Sequence, residues 1–247
     1  MLLRITNCCS ECCSHCFIDA GPNGEHMSVD TVASSLAFME KHKVKTCMVS
    51  GGEPTLSPEF EQIMDMVCMS VPFVILMSNG TFAFDDHIFN IVKDILDRWT
   101  TLSLQVRTHP RYYPSYKRIM DCRRLRKLPR TFVQDDGIVL TALGRCTENQ
   151  KKFPTCSNFW SASQNKGLSF SDVIREIESR GRFCTPSINV DGTISMGETP
   201  FCQKIGNVVN GVGKVLGMKP CNKCGLGSAL EEKLTELRKA RATCTSR

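Results

Sequence analysis

Three cysteines near the start of the chain have a spacing that suits metal chemistry. Cys9, Cys13 and Cys16 form the pattern C-x3-C-x2-C and follow a short, mainly apolar run at residues 2–5. Thiolates are soft ligands that suit iron–sulfur clusters, and one short loop allows all three to point inward. Three thiolates can bind three irons of a 4Fe–4S cube, which leaves the fourth iron open.

Zinc and disulfides are the alternative interpretations of this loop. A closed zinc site needs a fourth ligand, and the neighbours that can supply one are His15, Cys8 and Cys12. Disulfides fit less well, because the chain has 15 cysteines, an odd number, and no signal segment at Met1. We therefore favour an iron–sulfur site and expect a reduced, cytoplasmic compartment.

A second motif follows 34 residues after Cys16, where the chain reads Ser50-Gly51-Gly52-Glu53-Pro54. It ends the apolar run 46–50, which predicts a buried strand. The two glycines allow a ligand to approach the backbone closely, and Glu53 can accept a hydrogen bond from an ammonium group. Without the cysteine pattern, these five residues also fit a simple strand-to-helix turn.

Taken together, the two motifs resemble the radical S-adenosylmethionine (radical SAM) superfamily. Its hallmarks are C-x3-C-x2-C after the first barrel strand and Gly-Gly-Glu-Pro after the second. The resemblance implies a 4Fe–4S cluster on the three cysteines, with its open iron chelated by the amino and carboxylate groups of S-adenosylmethionine. It also implies that Gly51, Gly52 and Glu53 bind the methionine amino end. His15 replaces the aromatic residue that usually contacts adenine in the family.

The apolar patterns predict the elements that position these motifs. Ser28 is expected to cap one helix, Ser57-Pro58 to open a second, and Asp85 or Asp86 to start a third. The third helix is expected to carry its apolar stripe on Ile88, Ile91, Val92 and Ile95. Strands are predicted at 46–50, 73–77 and 102–107, with further candidates at 131–133 and 138–141. This alternation predicts an α/β fold, which we interpret as a partial (β/α)6 TIM-type barrel with its site at the strand carboxyl ends.

The resemblance suggests further cofactor contacts along these strands. Ser78 and Asn79 end the third strand in Ser-Asn-Gly, a turn that lies near the cofactor in the family, although Asn79-Gly80 also fits an ordinary tight turn. Ser103 and Gln105 share one face of the fourth strand. Gln105 stands where the family often has an aspartate for the ribose. Arg145 resembles a family position that reaches the cofactor carboxylate, and it equally fits a surface arginine.

A second group of cysteines surrounds a predicted hairpin. The turn Asp191-Gly192 separates two short apolar runs. Four thiols that can converge on one tetrahedral or cubane site lie around it: Cys184, Cys202, Cys221 and Cys224. Their spacing also fits a zinc ribbon. The order of cysteines and hairpin resembles twitch or SPASM appendages, which implies an auxiliary iron–sulfur cluster of the 4Fe–4S type.

These patterns divide the chain into three predicted parts. We expect the barrel at 1–180, an auxiliary-cluster domain with a β-hairpin at 181–227 and a C-terminal helix at 228–247. The chain has 247 residues, is 41% hydrophobic and contains no apolar stretch long enough to cross a bilayer, so no membrane partner is expected. The loop that carries Cys9, Cys13 and Cys16 begins almost at Met1, so we expect no peptide-binding region ahead of the barrel.

The distribution of charge suggests that residues 112–130 form a binding surface. The chain carries a formal net charge of +6. All three tyrosines precede a basic run in which Asp121 is the only acid: Tyr112, Tyr113, Tyr116, Lys117, Arg118, Arg123, Arg124, Arg126, Lys127 and Arg130. Rings interleaved with basic groups can bind a nucleic acid. A solvated helix face and a docking patch for an acidic electron donor such as flavodoxin are the competing interpretations.

The resemblance implies an enzyme that reductively cleaves S-adenosylmethionine to a 5'-deoxyadenosyl radical. That radical would abstract hydrogen from an unactivated C–H bond, with flavodoxin or ferredoxin as the reductant. The favoured substrate is a peptide or protein side chain. A nucleic-acid base or nucleotide is the alternative, and a non-enzymatic iron–sulfur or zinc-binding module is a remote one.

Overall fold

A computed structural model describes residues 1–135, 145, 185–195, 197 and 204–212. Its strands are β1 (Leu2–Thr6), β2 (Thr46–Gly51), β3 (Phe73–Ser78), β4 (Leu102–Thr108), β5 (Thr131–Asp135), β6 (Ser187–Ile188), β7 (Thr193–Ser195), β8 (Lys204–Asn207) and β9 (Gly211–Val212). Its α-helices are α1 (Val29–Lys41), α2 (Phe60–Ser70), α3 (Asp86–Arg98) and α4 (Tyr116–Asp121). Short 3-10 turns span Pro54–Leu56, Thr81–Phe84 and Leu125–Lys127.

All of these strands join one sheet in the order β5-β4-β3-β2-β1-β6-β7-β8-β9. Strands β1 to β5 are parallel, and β6 also lies parallel to β1. The remaining pairs are antiparallel. The predicted α/β fold with a parallel, barrel-type sheet is therefore confirmed. Within the described ranges the sheet stays open, with β5 and β9 at its edges.

Helix α1 forms as its sequence predicts. The Ser28 hydroxyl accepts a hydrogen bond from the Thr31 amide at 3.2 Å, so it satisfies one of the free amides of the first turn. The apolar stripe of the helix, formed by Val32, Leu36 and Met39, is buried in the core. This face packs α1 against the parallel sheet.

Helices α2 and α3 differ in detail from the predicted pattern. The chain first makes the 3-10 turn at Pro54–Leu56, where the Ser57 amide donates to the Pro54 carbonyl. Helix α2 then begins at Phe60, two residues after the predicted start at Pro58. In α3 the Asp85 carboxylate caps the first turn, as expected. The buried stripe of α3 includes Phe89 and Leu96, whereas Ile88 and Ile91 are only partly buried. Val92 and Ile95 of the predicted stripe are buried as expected, so the buried face of α3 overlaps the predicted face and is shifted towards Phe89 and Leu96.

The Asp191-Gly192 hairpin is confirmed. Gly192 has φ +77°, a conformation that glycine adopts without strain, and its amide donates to the Asn189 carbonyl at 2.8 Å. Leu2 of β1 pairs with Ser187 of β6, so the hairpin continues the barrel sheet. The predicted strand at 138–141, the helix at 228–247 and the domain boundaries lie outside the described residues.

Candidate functional site

The cluster loop, residues 7–27, leaves the carboxyl end of β1 and returns beside it. Its two ends are joined by backbone hydrogen bonds from Asn7 to Glu25 and from Met27 to Ile5, both at 2.8 Å. Inside the loop the Cys9 amide donates to the Gly21 carbonyl at 2.9 Å. Cys9 and Cys13 are each only 7% exposed, whereas Cys16 is half-buried. The loop thus holds its thiols at the edge of the sheet where barrel enzymes have their sites.

The Gly-Gly-Glu-Pro motif packs directly against the cluster loop. The Gly52 amide donates to the Thr6 carbonyl at 2.8 Å, and the Glu53 amide donates to the Cys8 carbonyl at 2.7 Å. A Cβ on Gly52 would lie 2.2 Å from the Cys8 oxygen. A Cβ on Gly51 would lie 2.1 Å from the Thr6 oxygen. The backbone that approaches these glycines closely is therefore the end of β1 at Gly51 and the cluster loop at Gly52.

The Glu53 carboxylate is fully buried and joins two strand ends. Its Oε1 accepts from the Thr55 hydroxyl at 2.7 Å, the Thr55 amide at 3.3 Å and the Ser78 hydroxyl at 2.9 Å. Its Oε2 accepts from the Asn79 amide at 2.8 Å. Burial raises the pKa of Glu53, and the hydrogen bonds from Thr55, Asn79 and Ser78 oppose that rise.

Glu53 therefore connects the ends of β2 and β3, a structural role that its sequence context did not reveal. Its role at the methionine amino end of the cofactor stays a prediction. The acceptor capacity of both carboxylate oxygens is already used within the protein, so an ammonium group would have to share these oxygens with protein donors.

Asn79 links the turn after β3 to the cluster loop. Its Nδ2 lies 3.7 Å from the Cys9 Sγ, and its Oδ1 accepts from the Thr81 amide at 2.8 Å and the Thr81 hydroxyl at 2.7 Å. Gly80 has φ +83°, which fits the tight-turn interpretation of Asn79-Gly80. The structure thus places Ser78 and Asn79 beside Glu53 and Cys9, while their cofactor contacts stay predictions.

The loop after β4 covers the other side of the cluster loop. The His15 ring lies 5.1 Å from the Tyr112 ring and 4.8 Å from the Tyr113 ring, centroid to centroid. The Ser115 amide donates to the Glu11 carboxylate at 3.0 Å. Tyr112 is only 3% exposed, so this ring is not on the surface for base stacking. The contact of His15 with adenine stays a prediction.

Arg145 reaches the cluster loop through its guanidinium group. Its Nε donates to the Cys13 carbonyl at 3.1 Å, and its Nη1 pairs with the Asp19 carboxylate at 2.7 Å. It therefore supports the loop and is not the free surface arginine that one interpretation allowed. Its predicted contact with the cofactor carboxylate is not tested by these bonds.

Strand β4 presents polar groups on one face, as predicted. Ser103, Gln105 and Arg107 alternate with the buried Leu102, Leu104 and Val106. The Ser103 hydroxyl lies 3.5 Å from the Val74 carbonyl, and the Gln105 side chain donates to Gln134 on β5. The predicted ribose contact of Gln105 therefore stays a prediction.

The three cysteines of the cluster loop fit an iron–sulfur cube. Burial raises the pKa of Cys9 to about 11 and also raises that of Cys13, and the neighbouring thiols add to both shifts. Three adjacent thiolates therefore need a compensating positive charge, which iron supplies. Within the described ranges no three Cys, His, Asp or Glu side chains converge on a single metal position. A cube has a different requirement, because each thiolate binds its own iron.

The four cysteines of the predicted auxiliary site, Cys184, Cys202, Cys221 and Cys224, lie outside the described residues. In the part of the chain that the structure describes, no helix has the length and apolarity needed to cross a bilayer.

Several known proteins are similar to this chain. A stretch of 79 residues is 28% identical to the antilisterial bacteriocin subtilosin biosynthesis protein AlbA of Bacillus subtilis (strain 168) and covers 32% of this chain but only 18% of that protein. The structure of BtrN in complex with AdoMet and 2-DOIA matches with a TM-score of 0.54 at 12% identity, covering 84% of this chain and 77% of BtrN. The structure of anSMEcpe with bound AdoMet and Cp18Cys peptide matches with a TM-score of 0.51 at 13% identity, covering 84% and 76%.

The two structural matches show a shared fold. The Radical SAM superfamily model matches residues 3–127, which span β1 to α4 and include both the cluster loop and the Gly-Gly-Glu-Pro motif. The chain therefore belongs to the radical SAM superfamily, whose enzymes use a 4Fe–4S cluster and S-adenosylmethionine.

Proposed function

We propose that this enzyme reductively cleaves S-adenosylmethionine and removes hydrogen from an unactivated C–H bond of a peptide or protein side chain. The observation that supports the reaction is the packing of the cluster loop on Gly52 and Glu53, which joins the two motifs at the carboxyl edge of the sheet. The cluster and S-adenosylmethionine, when bound, would supply the 5'-deoxyadenosyl radical for this chemistry.

The residues of the chain would bind and orient these groups. Cys9, Cys13 and Cys16 would each bind one iron, and the burial of Cys9 and Cys13 keeps water from that side of the cluster. The Asn79 amide group would donate to the Cys9 sulfur, since its Nδ2 lies 3.7 Å away. Hydrogen bonds to cluster sulfurs help to set the reduction potential of such centres. Glu53 would hold Asn79 in place through the Asn79 backbone amide.

Relatives support the peptide substrate. AlbA is named as a bacteriocin biosynthesis protein, and the anSMEcpe structure contains a bound peptide. The nucleic-acid alternative loses one of its supporting rings, because Tyr112 is buried against the cluster loop. An auxiliary 4Fe–4S cluster on Cys184, Cys202, Cys221 and Cys224 is also part of this proposal and rests on their spacing.

The first experiment measures iron, sulfide and deoxyadenosine together on anaerobically purified protein. With dithionite as reductant, the wild type should release deoxyadenosine and contain about eight irons. A variant with alanine at Cys9, Cys13 and Cys16 should retain about four irons and release none. About four irons plus zinc in the wild type would assign the C-terminal site to zinc. No deoxyadenosine from the wild type would refute the reaction.

The second experiment tests the substrate class by isotope transfer. Hydrogen abstraction from a deuterated substrate places deuterium in the released deoxyadenosine, which mass spectrometry detects. The enzyme is incubated with deuterated cellular peptides in one reaction and with deuterated RNA fragments in another. Deuterium from the peptides alone is the expected result. Deuterium from the RNA fragments alone would replace the peptide proposal with the nucleic-acid alternative.

A further inference from the structure

A cluster of exposed positive charges lies on α4 and the 3-10 turn that follows it. We call this surface the basic ridge, and its members are Lys117, Arg118, Arg123, Arg126 and Lys127, all exposed. Between residues 117 and 127 the only acid is Asp121, which is also exposed. The radical reaction proposed above gives no role to this concentration of charge.

The basic ridge stands on a well-packed support. Ile119 and Leu125, on the opposite side of the same segment, are buried at 1% and 0% exposure. The Arg118 guanidinium lies 4.0 Å from the centre of the Phe84 ring. A neighbouring arginine, Arg124, lies 3.7 Å from the centre of the Phe89 ring and pairs with Asp86 at 2.6 Å. These contacts hold the backbone and part of the charge in place before any partner binds, which lowers the entropy cost of docking.

The basic ridge also begins next to the cluster loop. The Ser115 amide, one residue before α4, donates to the carboxylate of Glu11, which stands between Cys9 and Cys13. Tyr112 and Tyr113 bring the same segment against His15. A protein bound on the basic ridge would therefore lie beside the loop that holds the cluster ligands.

We propose that the basic ridge is the docking surface for a small acidic protein that carries a low-potential flavin and delivers single electrons to the cluster. The proposal rests on the proposed function, because only a redox enzyme needs such a donor. The transfer is balanced without other reactants: the flavin loses one electron, the cluster gains one, and no bond forms or breaks. Opposite charges on two surfaces accelerate encounter and fix the orientation of docking.

A nucleic acid is a less favoured occupant of the same surface. Base stacking needs exposed rings beside the basic groups, and Tyr112 is buried while Tyr113 packs against His15. The packing of these two rings therefore favours the electron donor.

The test reverses the charge of three members of the basic ridge: Lys117→Glu, Arg123→Glu and Lys127→Glu. The matched control carries Lys41→Glu, Lys43→Glu and Lys204→Glu, which change the net charge equally at exposed positions elsewhere. Both variants and the wild type are prepared with their iron and compared for deoxyadenosine release. One reaction uses reduced flavodoxin as the probe, and the other uses dithionite, a small reductant that needs no docking surface.

The ridge variant should lose about tenfold of its flavodoxin-driven rate and keep its dithionite-driven rate. Binding of oxidised flavodoxin, measured by titration calorimetry, should weaken in the ridge variant alone and weaken with salt in the wild type. Equal flavodoxin-driven rates in all three proteins, or an equal loss in the control, would overturn the proposal. So would an unchanged flavodoxin rate together with loss of oligonucleotide binding, which would assign the surface to a nucleic acid. No dithionite-driven release from the wild type would instead refute the proposed function.

Discussion

A methyl group at Gly52 should disconnect the cluster loop from the sheet. In Gly52→Ala the new Cβ would lie 2.2 Å from the Cys8 oxygen, 2.7 Å from the Cys8 carbonyl carbon and 3.0 Å from the Cys9 Cβ. The first two are backbone atoms, so the conflict cannot be relieved by a side-chain rotation. The loop carrying Cys8 and Cys9 must move away by more than about 1 Å to restore an ordinary contact distance.

The expected cost follows from these contacts. Forcing a methyl group into a packed site costs about 1–3 kcal/mol. Moving the loop also weakens the bonds from the Gly52 amide to Thr6 and from the Glu53 amide to Cys8, each of which contributes about 0.5–1.5 kcal/mol. The total of about 2–6 kcal/mol falls within or below the lower part of the roughly 5–15 kcal/mol that stabilises a typical domain, so the sheet should remain folded. The cysteines, however, would no longer be held together for iron.

The assay compares Gly52→Ala with Gly21→Ala in the same loop. A Cβ on Gly21 meets nothing within 4 Å, so this control should change the free energy of unfolding by less than about 0.5 kcal/mol and leave the iron content unchanged. Iron per chain and the urea midpoint are measured for both. Wild-type iron content and an unchanged urea midpoint in Gly52→Ala would refute the role assigned to Gly52.

Three further changes test other parts of the structure. In Glu53→Gln an amide replaces the buried carboxylate and cannot accept from all of its donors, so the free energy of unfolding measured in urea should fall by about 1–3 kcal/mol. The exposed Glu59→Gln should leave the urea midpoint unchanged, and equal midpoints in the two variants would contradict the connecting role of Glu53. Iodoacetamide should modify the exposed Cys12 in the native protein and spare Cys47, because burial raises the pKa of Cys47 to about 12. Similar modification rates for the two cysteines, measured by mass spectrometry, would show that Cys47 is accessible. In Arg130→Lys the single amine cannot replace the guanidinium hydrogen bonds to the carbonyls at the end of α3 and the start of β4. The free energy of unfolding should therefore fall by about 1–3 kcal/mol. An unchanged urea midpoint would show that these bonds contribute little.

Local patterns were sufficient to predict most of the elements that hold the site. The cap at Ser28, the alternation on β4 and the turn at Asp191-Gly192 are each encoded within a few neighbouring residues. Such signals depend on backbone preferences and on residue periodicity, which the sequence displays directly. The face of α3 was predicted less well, because the choice between Phe89 and Ile88 depends on what packs against the helix.

The sequence by itself determined which residue types carry the chemistry and in what order they occur. The tertiary structure decided which of these residues pack against or hydrogen-bond to one another. The spacing of Cys9, Cys13 and Cys16 and the motif ending at Pro54 were enough to indicate the family, because ligand types and their order are properties of the chain. The contact of Gly52 with Cys8 and the hydrogen bonds that Glu53 accepts from Ser78 and Asn79 were not visible in the sequence. These contacts join residues that are distant along the chain, and only parallel pairing of β1, β2 and β3 brings their carboxyl ends to one edge of the sheet.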